Sequence, residues 1–472
     1  MKKPVLASRL RYLSLILVLL AGKLPQAAEQ PTLRLQVSRT ITVDPEAWKW
    51  NWASWDQEKI VTFGDYQYTV YWDADRVMVL ARRDLRNDSV QTVRMPKFTL
   101  KADDRHRNTC LGVSASDGRL HLSWDHHNDP LRYTRTRAGF LTEPSEQISL
   151  EEIEPAQSML GDPKLEQQVT YPRFFTDPAG TLFCFYRIGG SGNGDNYLQR
   201  YNPGDGTWTR VGMVFSYRGT YGPWNNSTSR CAYLHDLLFD SKGRLHATWT
   251  YRETGASWAS NHDLHYAYSD DSGTTWKNNA GRQIADLAAS DPIELADPGI
   301  VVWEIPVYSW LMNAGCMGFD SKDRPHVLTY KCRTTHKPEK LAHDPTQAIV
   351  DDLCFVHYWR QDDGTWTGGE LIDPKPAGRS RVDMVFDRDD NLVFFYPTYD
   401  PAAEGFRYFT ARAGDRWQTW TGPLKLTGPE LTGRDASKHD RARWAKEGIL
   451  SFTAMPKPSG FAILDVEVSS GK

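Results

Sequence analysis

The chain has 472 residues and a formal net charge of −3, with 18 Trp, 21 Tyr and 18 Phe. That near-neutral balance, with no Lys/Arg run, gives no electrostatic footing on nucleic acid. The aromatic load and the absence of a long 3.6-residue apolar period point away from a helical bundle and toward an all-β chain of short strands.

At the start of the chain, Lys2, Lys3, Arg9 and Arg11 precede an apolar stretch from Leu13 to Ala21, and small residues follow at Ala27-Ala28. This is the layout of a secretory signal over residues 1–28, too short to span a bilayer comfortably. The expectation is a secreted or periplasmic protein, free of membrane after cleavage, that starts near Glu29. Pro and Gly are scattered and mark no linker, so residues 29–472 read as a single catalytic domain and a monomer. Six cysteines are few for an exported chain and lack the dense spacing of a disulfide scaffold; four of them sit in or beside predicted strands and read as buried thiols.

Six Asp-centred turns each feed a short apolar strand, beginning at Asp73, Asp117, Asp177, Asp240, Asp320 and Asp387. A degraded seventh copy reads at Lys446-Glu447-Gly448 before Ile449. An Asp- and Gly-rich turn followed by β-branched and aromatic residues is the local grammar of a hairpin. A period of roughly 45–80 residues suits four-stranded propeller blades. The predicted fold is therefore a single seven-bladed β-propeller with four-stranded antiparallel blades, the six strands holding equivalent places. Ser269 to Trp276 satisfies the S-x-D-x-G-x-T-W Asp box known from sialidase-type propellers, with echoes at Asp205-Gly206-Thr207-Trp208 and Asp363-Gly364-Thr365-Trp366. The box is a folding device and says nothing about chemistry.

Polar residues that a strand core would not choose cluster around the second and third repeats. They are Asp104-Arg105-His106-Arg107-Asn108, Trp124-Asp125-His126-His127-Asn128-Asp129, Thr170-Tyr171-Pro172-Arg173 and Tyr186-Arg187 with the glycine-rich loop to Gly194. In a propeller, strand ends of adjacent blades converge on one face, so these groups would form an acid–base site with an anion clamp. Strand alternation puts His126 and His127 on opposite sides, so one of them at most faces such a site. His121, His246 and His326 recur at one position of the repeat and read as structural.

The set D-x-H-R, G-x-L-H-x-S-W-D-H-H-x-x-P-L-x-Y, T-Y-P-x-F, Y-R-x-G-x-S-G-N-G and N-H-D-L-x-Y-A resembles a bacterial family of seven-bladed propeller polysaccharide lyases, the ulvan lyases. The resemblance is dense from Asp65 to Trp276 and then thins to the repeat alone. It implies β-elimination at a 4-O-substituted uronate, glucuronate or iduronate linked to sulfated rhamnose, in an anionic polysaccharide. By the same analogy His106 is the base, Tyr171 the acid or proton shuttle, Arg187 the carboxylate clamp, and His127 sits against the carboxylate or assists the base. Arg107, Asn108, Asn193 and Tyr233 would contact substrate, and Arg105 and Arg173 stand near enough in sequence to meet sulfate. The glycines from Gly189 to Gly194 would let substrate approach the backbone.

Catalysis on this reading requires no cofactor. Some relatives carry a structural metal, and by residue type alone His246, His262, His265 and Cys316 are the zinc candidates; no C-x-x-C or H-x-x-x-H spacing supports them. Two other readings stay open. A sialidase- or rhamnosidase-like hydrolase would need carboxylates where this cluster offers His, Tyr and Arg. A non-catalytic sugar-binding propeller would make the cluster incidental.

Overall fold

A computed structural model describes residue 1 and residues 33–51, 58–254, 257–340, 345–374, 381–398, 405–428 and 438–470. The signal-like segment lies outside the described residues. The fold is all-β, with two short helices, Gln347–Asp351 and Arg441–Glu447. No helix among the described residues is long and apolar enough to cross a membrane.

The strands form antiparallel sheets in chain order. The first holds Ile60–Phe63, Tyr66–Trp72, Val77–Asp84 and Val90–Thr99, and the second Thr109–Ser114, Arg119–Trp124 and Tyr133–Arg135. An eleven-stranded sheet follows, made of two antiparallel groups. One holds the four strands from Val169–Thr176 to Thr207–Phe215 with the short strand His127–Asp129 on its edge, and the other starts at Arg230–Phe239. A single parallel residue pair, Gly194 with Cys231, joins them. Two four-stranded sheets come next, starting at Cys316–Phe319 and Asp383–Phe386. The last sheet pairs Ile449–Ala454 with Phe461–Ser470, and the N-terminal strand Leu33–Asp44 completes it.

The repeat has a local cause. In five of the six turns the Asp Oδ1 accepts the backbone N–H four residues on: Asp73 from Val77, Asp177 from Thr181, Asp240 from Arg244, Asp320 from Arg324 and Asp387 from Asn391. Each bond closes a turn that would otherwise leave a donor unpaired. The strands after five of these turns are the second of their sheets or groups. The Asp73 copy departs, because Val77–Asp84 is the third strand of the first sheet. The degraded copy is corrected too: Lys446 and Glu447 end a helix, and Gly448, at φ 68°, caps it in the left-handed region.

In the Asp box, Asp271 Oδ1 accepts Thr275 N at 2.8 Å, Gly273 N donates to Ser269 Oγ, and the buried Trp276 donates to Gly273 O. Both echoes make a shorter clasp, in which the Asp accepts from the Thr two residues on. The recurrent histidines are structural: buried His121 and His246 bond Tyr133 and Tyr266 on the neighbouring strand, and His326 bonds His357. All six cysteines are buried free thiols.

Candidate active site

Asp104 organises the site. Its Oδ1 meets His106 Nδ1 at 2.5 Å and its Oδ2 meets His127 Nδ1 at 2.6 Å. The two imidazoles stack, with centroids 4.3 Å apart. Burial would raise the Asp104 carboxyl, but the two histidine contacts outweigh it and hold the acid well below its usual range. Burial pushes His106 below its ordinary value, and Asp104 opposes that shift. With Nδ1 directed at a carboxylate, Nε2 is the nitrogen that exchanges a proton.

The loop that delivers His127 is set by backbone conformation. Asp125 and Asn128 both adopt the left-handed region, at φ 62° and 60°. His127 then pairs with Thr170, which puts it beside the strand that carries Tyr171. His126 turns inward: it is 2% exposed and its Nε2 accepts Arg132 N at 2.8 Å. The choice between the adjacent histidines therefore falls on His127.

Tyr171 sits on a bulge. Thr170 pairs with Arg187 and Arg173 with Phe185, so Tyr171 and Pro172 together face Tyr186 alone. Its φ of 54° is rare for an aromatic residue, and such strain collects at functional sites. Its ring lies 6.4 Å from His106 and 6.4 Å from Tyr233, and the Arg187 guanidinium stands 5.3 Å from its centroid. Burial raises its phenol, so Tyr171 keeps its proton at neutral pH.

Arg187 is 3% exposed, and it donates through Nε to Gly189 O and through Nη1 to Tyr233 Oη at 3.1 Å. Burial alone would lower its pKa, but Tyr233, Cys231 and Tyr171 around it raise it, so the charge is permanent. Tyr233 in turn donates to Ser191 Oγ at 3.0 Å. Arg252, absent from the sequence-based candidates, reaches the same group. It stands 4.7 Å from the Tyr233 ring centroid and donates to Ser191 Oγ at 3.3 Å. A signal was available: Tyr251-Arg252 lies late in the second strand of its group, as Tyr186-Arg187 does in the preceding group.

Three expected substrate contacts are placed elsewhere. Arg107 is spent inside the loop, 3.1 Å from Asp125 and 2.7 Å from Asp129. Asn108 is buried and donates to Arg105 O, which fixes the turn that presents His106. Arg173 is buried against Asp236, away from any sulfate. Asn193 is exposed at a hairpin end. Three of the four glycines, Gly189, Gly192 and Gly194, are required by the chain's own packing. A Cβ at Gly194 would meet Arg187 Cδ at 2.8 Å, and one at Gly192 would meet Glu253 O at 2.8 Å.

The four zinc candidates do not assemble. His246 pairs with Tyr268 and His262 with Tyr251, five strand positions apart along one ladder, or roughly 16 Å. His246 bonds Tyr266 and Asp240 instead. His262 and His265 do approach, with Asp263, to within 4.8 Å, but Cys316 is not in that group. His262 directs Nδ1 at Asp263 and Nε2 at Glu253, and these contacts overcome burial to raise its pKa. An imidazolium held between two carboxylates does not fit a tetrahedral zinc.

An all-β repeat scaffold thus carries, at the ends of neighbouring strands, two histidines on one carboxylate, a strained tyrosine and a buried arginine. That is the constitution of an acid–base enzyme. A family model for BNR repeat-containing members matches residues 66–373, and the chain belongs to that family. Among curated proteins, an ulvan lyase long isoform of Pseudoalteromonas sp. (strain PLSV) is 25% identical over 404 residues, covering 73% of this chain and 39% of that protein. An ulvan lyase short isoform of Alteromonas sp. (strain LOR) is also 25% identical, over 360 residues, covering 63% of this chain and 65% of that one. The chain therefore spans about two fifths of the long isoform. In fold it is similar to the crystal structure of polysaccharide lyase Uly1, with TM-score 0.68 and 16% identity over 92% of this chain and 99% of that one. It is similar also to a PL25 ulvan lyase, with TM-score 0.64 and 13% identity over 91% and 96%.

Proposed function

We propose that the chain is a secreted polysaccharide lyase that cleaves a sulfated uronate polysaccharide of the ulvan type by β-elimination. The observation that carries the reading is the convergence of His106, His127 and Tyr171 with a buried Arg187. Elimination asks for these groups. The C5 proton of a uronate is barely acidic until a cation and hydrogen-bond donors neutralise the neighbouring carboxylate. Arg187 supplies the cation, since its Nη2 makes no hydrogen bond within the described residues, and a guanidinium edge suits a carboxylate. His106, neutral above its lowered pKa and oriented by Asp104, accepts the C5 proton. Tyr171, still protonated, delivers a proton to the departing 4-oxygen. His127, on the other oxygen of Asp104, faces the carboxylate or supports His106. No step calls on a metal.

The same reading takes the scaffold as one seven-bladed propeller over residues 29–472. Two groups within the eleven-stranded sheet joined by one residue pair, and a last sheet completed by the N-terminal strand, support that count. Incubation with ulvan tests the function. The ultraviolet band of an unsaturated uronate should grow with wild type and fail to appear with His106→Ala or Tyr171→Phe. Chain scission without that band would mean hydrolysis.

A further inference from the structure

We propose that a groove between the first and second sheets holds a sulfate-bearing stretch of the same polyanion, several sugars away from the bond that is cut. The inference rests on the lyase reading above. The groove has a volume of about 730 Å³. One wall is the outer strand Val90–Thr99, and the other is the segment from Leu150 to Ala156, bridged to the edge of the second sheet through Ile153. Phe98 packs on Trp124 at 4.3 Å beneath it, and Met95, Leu150 and Ile153 make the floor and lip apolar. Leu150 is 45% exposed, a large aliphatic side chain left in water.

The charges are of one prevailing sign. Lys97, Lys101 and Arg132 line the groove against Asp125 and Glu154. Glu154 is already held by Arg119 and Arg135 from outside the lining. Lys97 is exposed and makes no ion pair among the described residues. Lys101 is paired with Asp129, and Arg132 with Asp125 and Asp129, so Lys97 is the lining cation that a sulfate can meet. An apolar floor below the exposed Lys97 ammonium suits a sugar that has an apolar face and a sulfate ester.

Continuity with the site gives the groove its role. Lys101 and Arg107 both contact Asp129, and Arg107 also approaches Asp104, the carboxylate between His106 and His127. A chain seated over Tyr171 and Arg187 can continue past this loop into the groove. Binding there would hold the polymer without touching the reacting atoms, and so would lower KM and leave kcat alone.

The test compares Lys97→Glu and Leu150→Asp, both surface changes, with wild type on ulvan, desulfated ulvan and an ulvan tetrasaccharide too short to reach the groove. Each variant should raise KM on ulvan by about fivefold with kcat unchanged, and should migrate faster in an ulvan affinity gel. Tetrasaccharide kinetics should stay as in wild type, and desulfation should erase the Lys97→Glu difference. Wild-type KM and migration in both variants would overturn the proposal. If wild type is retarded by ulvan but yields no unsaturated product, the lyase reading fails, and the gel comparison alone decides the groove.

Discussion

Both histidines of the site turn Nδ1 toward one carboxylate, so a single substitution at Asp104 changes the tautomer and orientation of two candidate proton carriers at once. Asp104→Asn keeps the shape but removes the charge that orients them. It should cost on the order of a hundredfold or more in kcat with circular dichroism unchanged, measured by initial rates on ulvan. The alkaline-going limb of the wild-type profile should lie below the ordinary histidine value, because burial lowers the His106 pKa and only neutral imidazole accepts a proton. Removing Asp104, which raises that pKa, should move the limb further down. At Arg187, replacement by Lys keeps a charge but loses the fork that reaches Gly189, Tyr233 and a carboxylate together. The loss expected is about 3 kcal/mol in transition-state stabilisation, read from kcat/KM. A lysine variant with near-normal kcat/KM would remove the clamp.

The repeating turn is the element that makes the scaffold, and it also joins neighbouring sheets. Ser241 donates through N and Oγ to Asp323, and Ser321 does the same to Asp390, so the Asp240 turn grips the Asp320 turn and that one grips the Asp387 turn. Asp320→Ala removes the acceptor for Lys322 N, Arg324 N and the Arg324 side chain. It should cost about 1 kcal/mol per lost bond in denaturant unfolding, with kcat unchanged because this turn lies at the strand end away from the site. These turns were legible in the sequence because Asp, Gly and the strand after them follow one another locally. That one of His126 and His127 faces away was legible too, although left-handed backbone at Asp125 and Asn128 beside a strand break, rather than alternation, separates them. The fate of Arg107, Arg173 and the glycine loop was not. Their partners Asp129, Asp236 and Glu253 lie far along the chain, and only the packed sheets bring them near. The bulge at Tyr171 was hidden likewise, because it is a register difference between two strands.

Across the whole molecule, charges on the first strands of three sheets or groups, Arg173, Asp236 and Asp383, meet one another or the segment around the last helix. Asp236 contacts Arg173 and Arg441, Arg441 contacts Glu58, and Asp383 holds His439. Asp440 accepts Thr62 Oγ1 and Gln67 Nε2, which ties the last sheet to the first. Many histidines are buried neutral as well: burial holds His121, His126 and His357 well below the ordinary range, and His235 and His265 at about 3. For these groups the folded pKa is depressed, so the unfolded chain binds more protons below its value of 6.5. Stability should therefore be full above that pH and fall as pH drops toward the folded values. His262, raised by Glu253 and Asp263, opposes this, but it is one group against eight, since His106, His246 and His326 are lowered by burial too. Melting temperature measured from pH 7 down to 4 should decline steadily; a flat profile would contradict the buried-neutral assignment.

The central claim is that the chain breaks a glycosidic linkage by taking a proton rather than by adding water, and product analysis in heavy-oxygen water separates the two. A lyase with His106 as base and Tyr171 as acid leaves an unsaturated uronate on one new end and places no solvent oxygen on the other. Mass spectra of an ulvan digest should show new ends without heavy oxygen, together with the ultraviolet band. One heavy oxygen per cut, on the new reducing end and read before its anomeric hydroxyl exchanges with solvent, with no double bond on the other end, would contradict the account.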